Sequence, residues 1–392
     1  MKPPLHVLLA AAACAGLASA VVIAQPLGLP PVPIPRDNPQ TPEKIALGSK
    51  LFNDKRLSST GEVSCATCHD PANAFTDRPL VTSRGINALT GTRNAPTIVN
   101  SAYFALYFWD GRSIDLEDQA QHPMINPVEM GLQNHEPVLQ LVRTDPDYVE
   151  MFRAAFAAEP ARVTMKEVQQ AIASFERTII SGDSPFDRWY YGGEQQAISE
   201  QAKRGFDVFM NKGRCVSCHV IEQDHALFTD NRFHNIGIGI NRIQDEVGKF
   251  APAFLEAKAR GADVDKTVLA NPKASELGRF AVTETLDEIG SFKTSTLRNV
   301  AVTAPFMHDG SLATLRDVVE HYNNGGITNK EDPVNDFLSG GIRPLGLTEQ
   351  EMTDLVAFLE TLTSPQFAAQ RQAAGNLPSC NVRTPTGGAK EP

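Results

Sequence analysis

The chain has 392 residues, 46 acidic side chains against 36 Lys and Arg, a formal net charge of −10 and 42% hydrophobic residues. This length allows two or three domains, each large enough to bury a core, and the composition excludes disorder over most of the chain. The acidic balance, without a long basic run, argues against nucleic acid or an anionic membrane surface as a partner, because no electrostatic footprint for phosphate is present.

The N-terminal segment predicts export. Residues 1–24 contain a basic residue, then an apolar stretch, and then Ala18-Ser19-Ala20, which has the small-residue form of a signal-peptidase site. We expect cleavage after Ala20, with cleavage after Ala24 as the second choice. An uncleaved membrane anchor is the rival interpretation, because the apolar run nearly reaches spanning length. No later stretch predicts a membrane span, so we expect the mature protein in the periplasm.

The rest of the chain has the pattern of an all-α fold. Residues 25–40 are proline-rich and predict an extended linker or a strap over the surface. Thr41-Pro42-Glu43 is a helix start signal, and apolar residues then recur at helical spacing. Alternating apolar runs long enough for a sheet are hard to find. Residues 365–392 are polar and predict a flexible tail.

The chain also repeats itself. Three short motifs each occur twice: Cys65-Ala66-Thr67-Cys68-His69 and Cys215-Val216-Ser217-Cys218-His219, Arg93-Asn94-Ala95 and Arg298-Asn299-Val300, and Asp110-Gly111 and Asp309-Gly310. The last pair is separated by 199 residues. Two copies of one domain are implied, related by pseudo-twofold symmetry. We expect these domains at 41–190 and 191–364, joined where glycine, serine and proline interrupt the helical pattern.

Each cysteine pair has the form C-x-x-C-H, the attachment signature of a c-type heme, in which two thiols bond to the porphyrin and the histidine ligates the iron. A zinc site and a thiol–disulfide pair are the alternatives. Zinc needs four converging ligands, and a redox pair does not require a histidine after the second cysteine in both copies. The sequence therefore predicts two covalent hemes, held by Cys65, Cys68, Cys215 and Cys218, with His69 and His219 as iron ligands.

The two copies differ where the second axial ligand is expected. The 199-residue offset aligns Pro123 with Tyr322 and His122 with His321. If Tyr322 closes the second iron, Pro123 cannot ligate the first, which then stays open to a small oxidant. Met307 and His321 are rival ligands for the second iron.

Three residues near Pro123 are candidates for catalysis. Glu129 suits peroxide cleavage, because a carboxylate can take a proton from one peroxide oxygen and return it to the other, provided that burial raises its pKa. Gln119 is a candidate hydrogen-bond donor to the oxidant. Trp109, at the repeat position of His308, is a candidate electron relay between the hemes. The plain alternatives are a solvated glutamate, a surface glutamine and a core aromatic.

Several motifs in a fixed order carry a family resemblance. They are both heme motifs, Arg93-Asn94-Ala95-Pro96-Thr97, Phe108-Trp109-Asp110-Gly111-Arg112, Asn126-Pro127-Val128-Glu129-Met130-Gly131, and the segment from Leu297 to Gly310. From about residue 40 to residue 363 the chain resembles the bacterial diheme cytochrome c peroxidase and MauG family.

The resemblance implies two tandem cytochrome c-like domains. It implies a first heme that reacts with hydrogen peroxide, with Glu129 as acid and base and Gln119 near the pocket, and a second, six-coordinate heme that exchanges electrons, with Trp109 between the two. It also implies a calcium ion at the domain interface, held by Asn94 and by the backbone carbonyls of Thr303 and Pro305, which suits a hard cation.

Two departures from the peroxidase branch are similar to MauG. The loop of residues 84–88 lacks the histidine that the peroxidase branch has there, and Tyr322 stands where that branch has methionine. The implied function is oxidation of a protein side chain, including maturation of the tryptophan-derived quinone cofactor of methylamine dehydrogenase. Residues 206–214 lack the surface tryptophan of MauG, so that substrate stays open. The alternative is a peroxidase that takes electrons from a small cytochrome c or a cupredoxin, and a non-enzymatic electron carrier is a distant third.

Overall fold

The computed structural model describes residue 23, residues 25–328 and residues 336–374. The expected signal segment, apart from residue 23, lies outside the described residues, as do both of its candidate cleavage sites. Among the described residues, no helix has the length and apolar character needed to cross a membrane.

The fold is helical, as the sequence predicts. The N-terminal half contains α1 (Pro42–Asn53), α2 (Cys65–Cys68), α3 (Leu116–Ile125), α4 (Glu136–Thr144), α5 (Pro146–Phe156), α6 (Met165–Glu176) and α7 (Pro185–Tyr190). The C-terminal half contains α8 (Glu200–Met210), α9 (Gln244–Ala259), α10 (Val264–Ala270), α11 (Pro272–Ser275), α12 (Phe280–Thr283), α13 (Leu315–Asn323), α14 (Glu349–Glu360) and α15 (Ala368–Ala374). Two short strands, β1 (Phe233–His234) and β2 (Phe292–Lys293), pair antiparallel in the C-terminal half.

Each half is organised around one crossing of its first long helix with its last. Helix α1 crosses α6 at Gly48, and α8 crosses α14 at Gly205. A Cβ atom on Gly48 would lie 1.9 Å from the backbone oxygen of Ala171, and one on Gly205 would lie 1.8 Å from that of Asp354. Both crossings therefore require glycine, because any side chain would force the helices apart.

The substitution Gly48→Ala is expected to lower the free energy of unfolding by about 1–3 kcal/mol, because overpacking strains a close helix contact. Gly248→Ala in α9 is the matched control, since no atom lies within 4 Å of a Cβ built there. That control is expected to raise stability by up to ~1 kcal/mol through helix propensity. Denaturant unfolding of the diheme protein measures both values. Equal effects of the two substitutions would contradict the close-contact explanation.

The backbone repeats between the two halves with the expected offset. The isolated bridges Tyr107–Ser113 and Phe306–Leu312 lie 199 residues apart and close equivalent turns. Asn100 and Asn299 both have left-handed backbone, with φ angles of 64° and 62°. The side chains of these two asparagines both bond to Ser181, one to its backbone oxygen at 2.8 Å and the other to its hydroxyl at 3.1 Å.

This repeat corrects one sequence match. Asn299 pairs structurally with Asn100, whereas the tripeptide similarity had placed it opposite Asn94. The true counterpart of Asn94 is Lys293, and their backbone N–H groups make equivalent hydrogen bonds: Asn94 donates to the His308 oxygen at 2.8 Å, and Lys293 to the Trp109 oxygen at 2.8 Å. A match of three residues is too short to define the register.

These reciprocal bonds locate the pseudo-twofold axis. Trp109 and His308 are counterparts in the repeat, and their rings contact each other with centroids 6.4 Å apart. Two equivalent residues can touch only near the axis that relates them. Arg93 and Phe292 are likewise counterparts, and the guanidinium of Arg93 lies 5.3 Å from the Phe292 ring centre. Trp109 therefore lies centrally, between the two halves.

Residues 25–40 form a strap that contacts both halves. Tyr103 of the N-terminal half donates its hydroxyl to the Pro30 backbone oxygen at 2.9 Å. Ala226 of the C-terminal half donates its N–H to the Gly28 oxygen at 3.0 Å. Of the two expected forms, an extended linker or a surface strap, the structure has the strap.

The expectation of a flexible tail from residue 365 is wrong for residues 365–374. Pro365–Phe367 form a 3₁₀ turn that continues into α15, and the Phe367 ring is buried against Val99 and Val302. The apolar ring of Phe367 anchors this segment to the interface of the two halves. The remainder of the expected tail lies outside the described residues.

Candidate active site

Each half presents a cysteine pair and a histidine suited to a covalent heme. Cys65 and Cys68 lie one helical turn apart on α2, and both line a cavity with His69. The four motif thiols are free of disulfides. Burial raises the pKa of Cys65 and of Cys68 to about 12, so both thiols are neutral. A thiol–disulfide catalyst needs a thiolate, so this environment argues against that alternative.

The motif histidines are oriented to ligate a metal. The Nδ1 atom of His69 lies 3.3 Å from the Phe75 backbone oxygen, and that of His219 lies 2.9 Å from the Phe228 oxygen. A carbonyl can only accept, so Nδ1 carries the proton and Nε2 keeps its lone pair for iron. Burial lowers the pKa of both imidazoles and favours this neutral form.

Together these groups fit the cofactor that the motifs predict. Two neutral thiols beside an imidazole with a free Nε2 are the donor set of a c-type heme. In the part of the chain that the structure describes, neither Cys65 nor Cys68 belongs to a cluster of three or more metal-ligating side chains. The zinc alternative therefore lacks its ligands at the first motif.

The cavity of the N-terminal half collects all the residues that the sequence assigned to peroxide chemistry. Besides the heme-binding residues, its lining includes Trp109, Gln119, Pro123 and Glu129. Gln119 and Pro123 lie four residues apart on α3 and therefore on one face of that helix. Asp115 caps α3 by accepting a hydrogen bond from the Asp118 N–H at 2.7 Å.

Glu129 is held in the cavity by its own loop and by residues 84–88. The Asn126 side-chain oxygen accepts a hydrogen bond from the Val128 N–H at 3.0 Å. The Ile86 N–H donates to the backbone oxygen of Glu129 at 2.9 Å. A Cβ on Gly85 would lie 1.9 Å from the Val128 oxygen, so glycine lets the two loops touch. The loop that lacks the peroxidase-branch histidine thus positions the backbone of Glu129.

Burial raises the pKa of the Glu129 carboxyl to about 7. The positive charges of Arg112 and His122 oppose this rise, whereas the carboxylate of Asp265 reinforces it. The condition on which the sequence argument depended is therefore met. A group with a pKa near the working pH can both accept and return a proton.

Tyr322 occupies, on α13, the position that Pro123 occupies on α3. Burial raises the pKa of its phenol, and the nearby thiols of Cys215 and Cys218 raise it further. The phenol of Tyr322 therefore lies near the second cysteine pair. Proline has no ligating atom, so the corresponding position of α3 offers none to the first cavity.

The structure argues against the rival ligand His321. Its Nε2 lies 2.8 Å from the Ile236 backbone oxygen and its Nδ1 lies 2.9 Å from the Thr328 hydroxyl. Both ring nitrogens are therefore engaged in hydrogen bonds within the C-terminal half. The other rival, Met307, packs in a cluster with Phe306, Ile238 and Leu312.

The residues expected at calcium lie beside the pseudo-twofold axis or in the segment that leads to it. The Asn94 amide donates to the Leu80 and Val81 oxygens at 3.3 and 3.1 Å. The Thr303 hydroxyl donates to the Val300 oxygen at 3.1 Å, and Pro305 is joined to Ala304 by a cis peptide. The hydroxyl of Thr303 is therefore occupied by a hydrogen bond. Its backbone carbonyl is the oxygen that the family resemblance assigns to calcium.

Sequence reasoning missed several charged residues at the first cavity. Arg112 and Glu176 both line it, and burial raises the pKa of Glu176 to about 8. Asp265, from the other half, pairs with Arg112 and with His122. Arg112 ends the motif Phe108-Trp109-Asp110-Gly111-Arg112, so the sequence could have indicated its place at the cavity. Nothing in the local sequence marks Asp265.

Comparisons with known proteins show the family to which the chain belongs. The family described as di-haem cytochrome c peroxidase matches residues 42–196. The chain is 38% identical to the methylamine utilization protein MauG of Methylorubrum extorquens, over 86% of this chain and 83% of that protein. It is also 38% identical to the cytochrome-c peroxidase IdrP1 of Denitromonas iodatirespirans, over 90% of this chain and 91% of that protein.

A solved structure extends the similarity to the fold. A MauG-like protein associated with microbial copper homeostasis superposes with a TM-score of 0.69 and 33% sequence identity, over 88% of this chain and 97% of that one. The family match confirms the predicted pair of hemes. The chain belongs to the diheme cytochrome c peroxidase and MauG family and is a heme-dependent oxidoreductase.

Proposed function

We propose that this protein is a periplasmic diheme enzyme that activates hydrogen peroxide in the N-terminal cavity and oxidises a protein side chain, as MauG does. One observation carries the proposal: Glu129, with its pKa raised to about 7, shares a cavity with His69 and Pro123. A proton-transfer group thus lies beside the first heme site. At that site helix α3 carries Pro123, which offers no ligand, where the other half carries Tyr322.

In this proposal the residues of the cavity move protons and hold the oxidant. A bound heme supplies the redox chemistry that breaks the oxygen–oxygen bond. Glu129, as the carboxylate, takes a proton from one peroxide oxygen and returns it to the other, which leaves as water. The Gln119 amide donates a hydrogen bond to the peroxide. Peroxide, two electrons and two protons give two waters, and Trp109 on the axis is the route for the electrons.

We propose that Tyr322, together with His219, would hold the iron of the C-terminal heme. Its burial beside Cys215 and Cys218 supports the assignment, and so does the engagement of both nitrogens of His321. A phenolate is a hard anionic donor and lowers the potential of the heme that it ligates.

Tyr322→Met is therefore expected to raise the reduction potential of the second heme by on the order of 100 mV, within the roughly 0.8 V that axial ligands span. A spectroelectrochemical titration measures this change. Tyr191→Phe is the matched control, because Tyr191 packs in the same cluster as Cys215 and its hydroxyl bonds to the Glu222 backbone oxygen. If the potential is unchanged in Tyr322→Met, Tyr322 does not ligate the second heme iron and Met307 becomes the candidate ligand.

We also propose one calcium ion at the interface of the halves, bound by the Asn94 side chain and by the backbone carbonyls of Thr303 and Pro305. Amide and carbonyl oxygens suit this cation. The location of Asn94 on the axis, hydrogen-bonded to the His308 oxygen at 2.8 Å, supports an interface ion.

The architecture and location complete the proposal. We infer a signal peptide at 1–24, an N-terminal cytochrome c domain at 41–190 with the peroxide-reactive heme, and a C-terminal one at 191–364 with the electron-transfer heme. Attachment of c-type hemes outside the cytoplasm suits an exported chain.

A plain cytochrome c peroxidase is the second candidate, favoured by the absence of tryptophan from residues 206–214. Steady-state peroxide turnover with a reduced small cytochrome c or cupredoxin separates the two. Slow turnover, together with oxidation of a quinone-cofactor precursor protein, is expected for the MauG-like function, and fast multiple turnover favours the peroxidase. A ferric spectrum without a high-spin signal would overturn both in favour of an electron carrier.

A further inference from the structure

We propose that Asp265, from the C-terminal half, is a positioning residue for the Glu129 site of the N-terminal half. It fixes Arg112, which lines the cavity, and His122, which precedes the lining residue Pro123, and it thereby sets the charge that surrounds the Glu129 carboxyl. The inference rests on the proposed role of Glu129 and adds to it a residue from the other half.

Asp265 lies in the first turn of α10 and directs its carboxylate across the interface. One oxygen pairs with Nε of Arg112, and the other lies 2.8 Å from Nδ1 of His122. The side chain of Asp265 is only 17% exposed. A largely buried carboxylate is stable only when pairing offsets the cost of its desolvation. The two partners of Asp265 in the other half therefore form a specific contact across the interface.

Arg112 carries the effect of Asp265 into the cavity. Its side chain is 9% exposed, its Nη1 lies 2.9 Å from Asp110, and its guanidinium lies 3.5 Å from the centre of the Phe108 ring. Asp110 is shared, since Arg93 also pairs with it at 2.7 Å. Two arginines therefore face two carboxylates, and without Asp265 one buried positive charge would be left in excess beside Glu129.

His122 links Asp265 to the helix of the distal residues. It precedes Pro123 on α3, and its Nε2 lies 3.5 Å from Asp118. The hydrogen bond that Asp265 accepts from the imidazole raises the pKa of His122. Asp265 thus holds one end of α3, the helix that carries Gln119.

The charged groups that act on Glu129 define the direction in which its pKa is expected to move in each variant. The groups whose charge acts on the Glu129 carboxyl are Arg112, Asp265 and His122. Two further titratable side chains, Glu176 and Lys293, line the same cavity. The negative charge of Asp265 raises the pKa of Glu129, whereas the positive charges of Arg112 and His122 lower it. Removing the charge of Asp265 therefore lowers the pKa of Glu129 even if His122 then loses its own charge, because Asp265 acts on Glu129 more strongly than His122 does. Removing His122 alone raises the pKa of Glu129.

The experiment uses the diheme holoprotein with the neutral variant Asp265→Asn. The protonated carboxyl band of Glu129, identified as the infrared band that Glu129→Gln removes, is titrated in the resting enzyme. In Asp265→Asn its midpoint is expected to move to lower pH by on the order of 0.5–1.5 units, the size of one charge at short range in a partly screened site. Asp265→Glu is expected to restore the midpoint.

Asp263→Asn is the matched control. It makes the same charge change two residues earlier, and asparagine keeps the capping bonds that Asp263 accepts from the Asp265 and Lys266 N–H groups. Its midpoint is expected to equal that of the wild type. An unmoved midpoint in Asp265→Asn, or an equal shift in Asp263→Asn, would overturn the inference.

His122→Gln tests the same network when Asp265→Asn does not fold. Its midpoint is expected to move to higher pH, and a move to lower pH would contradict the network. The infrared titration needs no turnover, so it also separates this inference from the proposed function. If Glu129→Gln leaves the peroxide reaction unchanged, the proposed function fails and the midpoint shift still reports on Asp265. If that variant slows the reaction and the midpoint does not move, only Asp265 is misassigned.

Discussion

Replacing Glu129 by Gln is expected to slow the reaction of the diferric enzyme with hydrogen peroxide by roughly 10²–10⁴-fold, the range for a positioned acid and base. Glutamine keeps the size of the side chain but cannot accept the peroxide proton. Stopped-flow spectroscopy at a series of peroxide concentrations measures the rate constant.

The pH dependence of the same reaction gives a second signature. Glu129 must be ionised to accept a proton, and its pKa is raised to about 7. The wild-type rate is therefore expected to rise with pH, with a midpoint near 7, and to fall as Glu129 is protonated at lower pH. In Glu129→Gln this midpoint is expected to disappear.

Two control variants define the specificity of the effect. Glu136→Gln changes an exposed glutamate at the start of α4 and is expected to leave the rate unchanged. Glu176→Gln changes the second glutamate that lines the cavity, which is 5% exposed. If Glu176→Gln abolishes the reaction while Glu129→Gln does not, the acid and base role belongs to Glu176.

Replacing Arg298 by Ala is expected to lower the free energy of unfolding by about 3–5 kcal/mol, because it leaves a buried carboxylate without its cation. The Arg298 and Asp187 side chains are 1% and 0% exposed, and two bonds of 2.8 and 2.9 Å join them. Arg298 also donates to the backbone oxygens of Ala226 and Gly28, so it ties the strap of residues 25–40 to the C-terminal half.

The control is an exposed ion pair of the same chemistry. Arg260 and Glu256 lie 3.2 Å apart on α9, with 71% and 67% of their side chains exposed. Arg260→Ala is expected to cost less than about 1 kcal/mol, because solvent screens such pairs. Chemical unfolding of the diheme protein, followed by circular dichroism, compares the two variants. Similar losses in both would show that burial of the Arg298 pair has no special effect.

The heme attachment could be predicted from sequence because its chemistry is local. Two thiols and an imidazole act together only when they are close, and five consecutive residues already ensure this. The same holds for the start of α1, where Thr41 accepts a hydrogen bond from the Lys44 N–H. Glu129 could be proposed from the chemistry of a carboxylate close to Pro123, and the family resemblance supported that choice. The raised pKa that its role requires comes from burial, which no short motif reports.

The internal repeat shows which sequence matches identify equivalent positions in the two halves and which do not. The 199-residue offset held for the Asp-Gly turns and for the pair Pro123 and Tyr322. The tripeptide match of Arg93-Asn94-Ala95 did not hold, because side-chain similarity over three residues is weaker than the backbone requirement of Asn100 and Asn299 for left-handed conformation.

The sequence by itself determined the fold class, the two heme motifs and part of the lining of the first cavity, because each of these is written in a contiguous motif or in helical spacing. Only the tertiary structure decided that Trp109 contacts its counterpart His308, that both ring nitrogens of His321 are hydrogen-bonded, and that Asp265 faces Arg112. These facts depend on how the two halves pack against each other. Long-range packing brings together charges from distant parts of the chain, and no local pattern records which of them will meet.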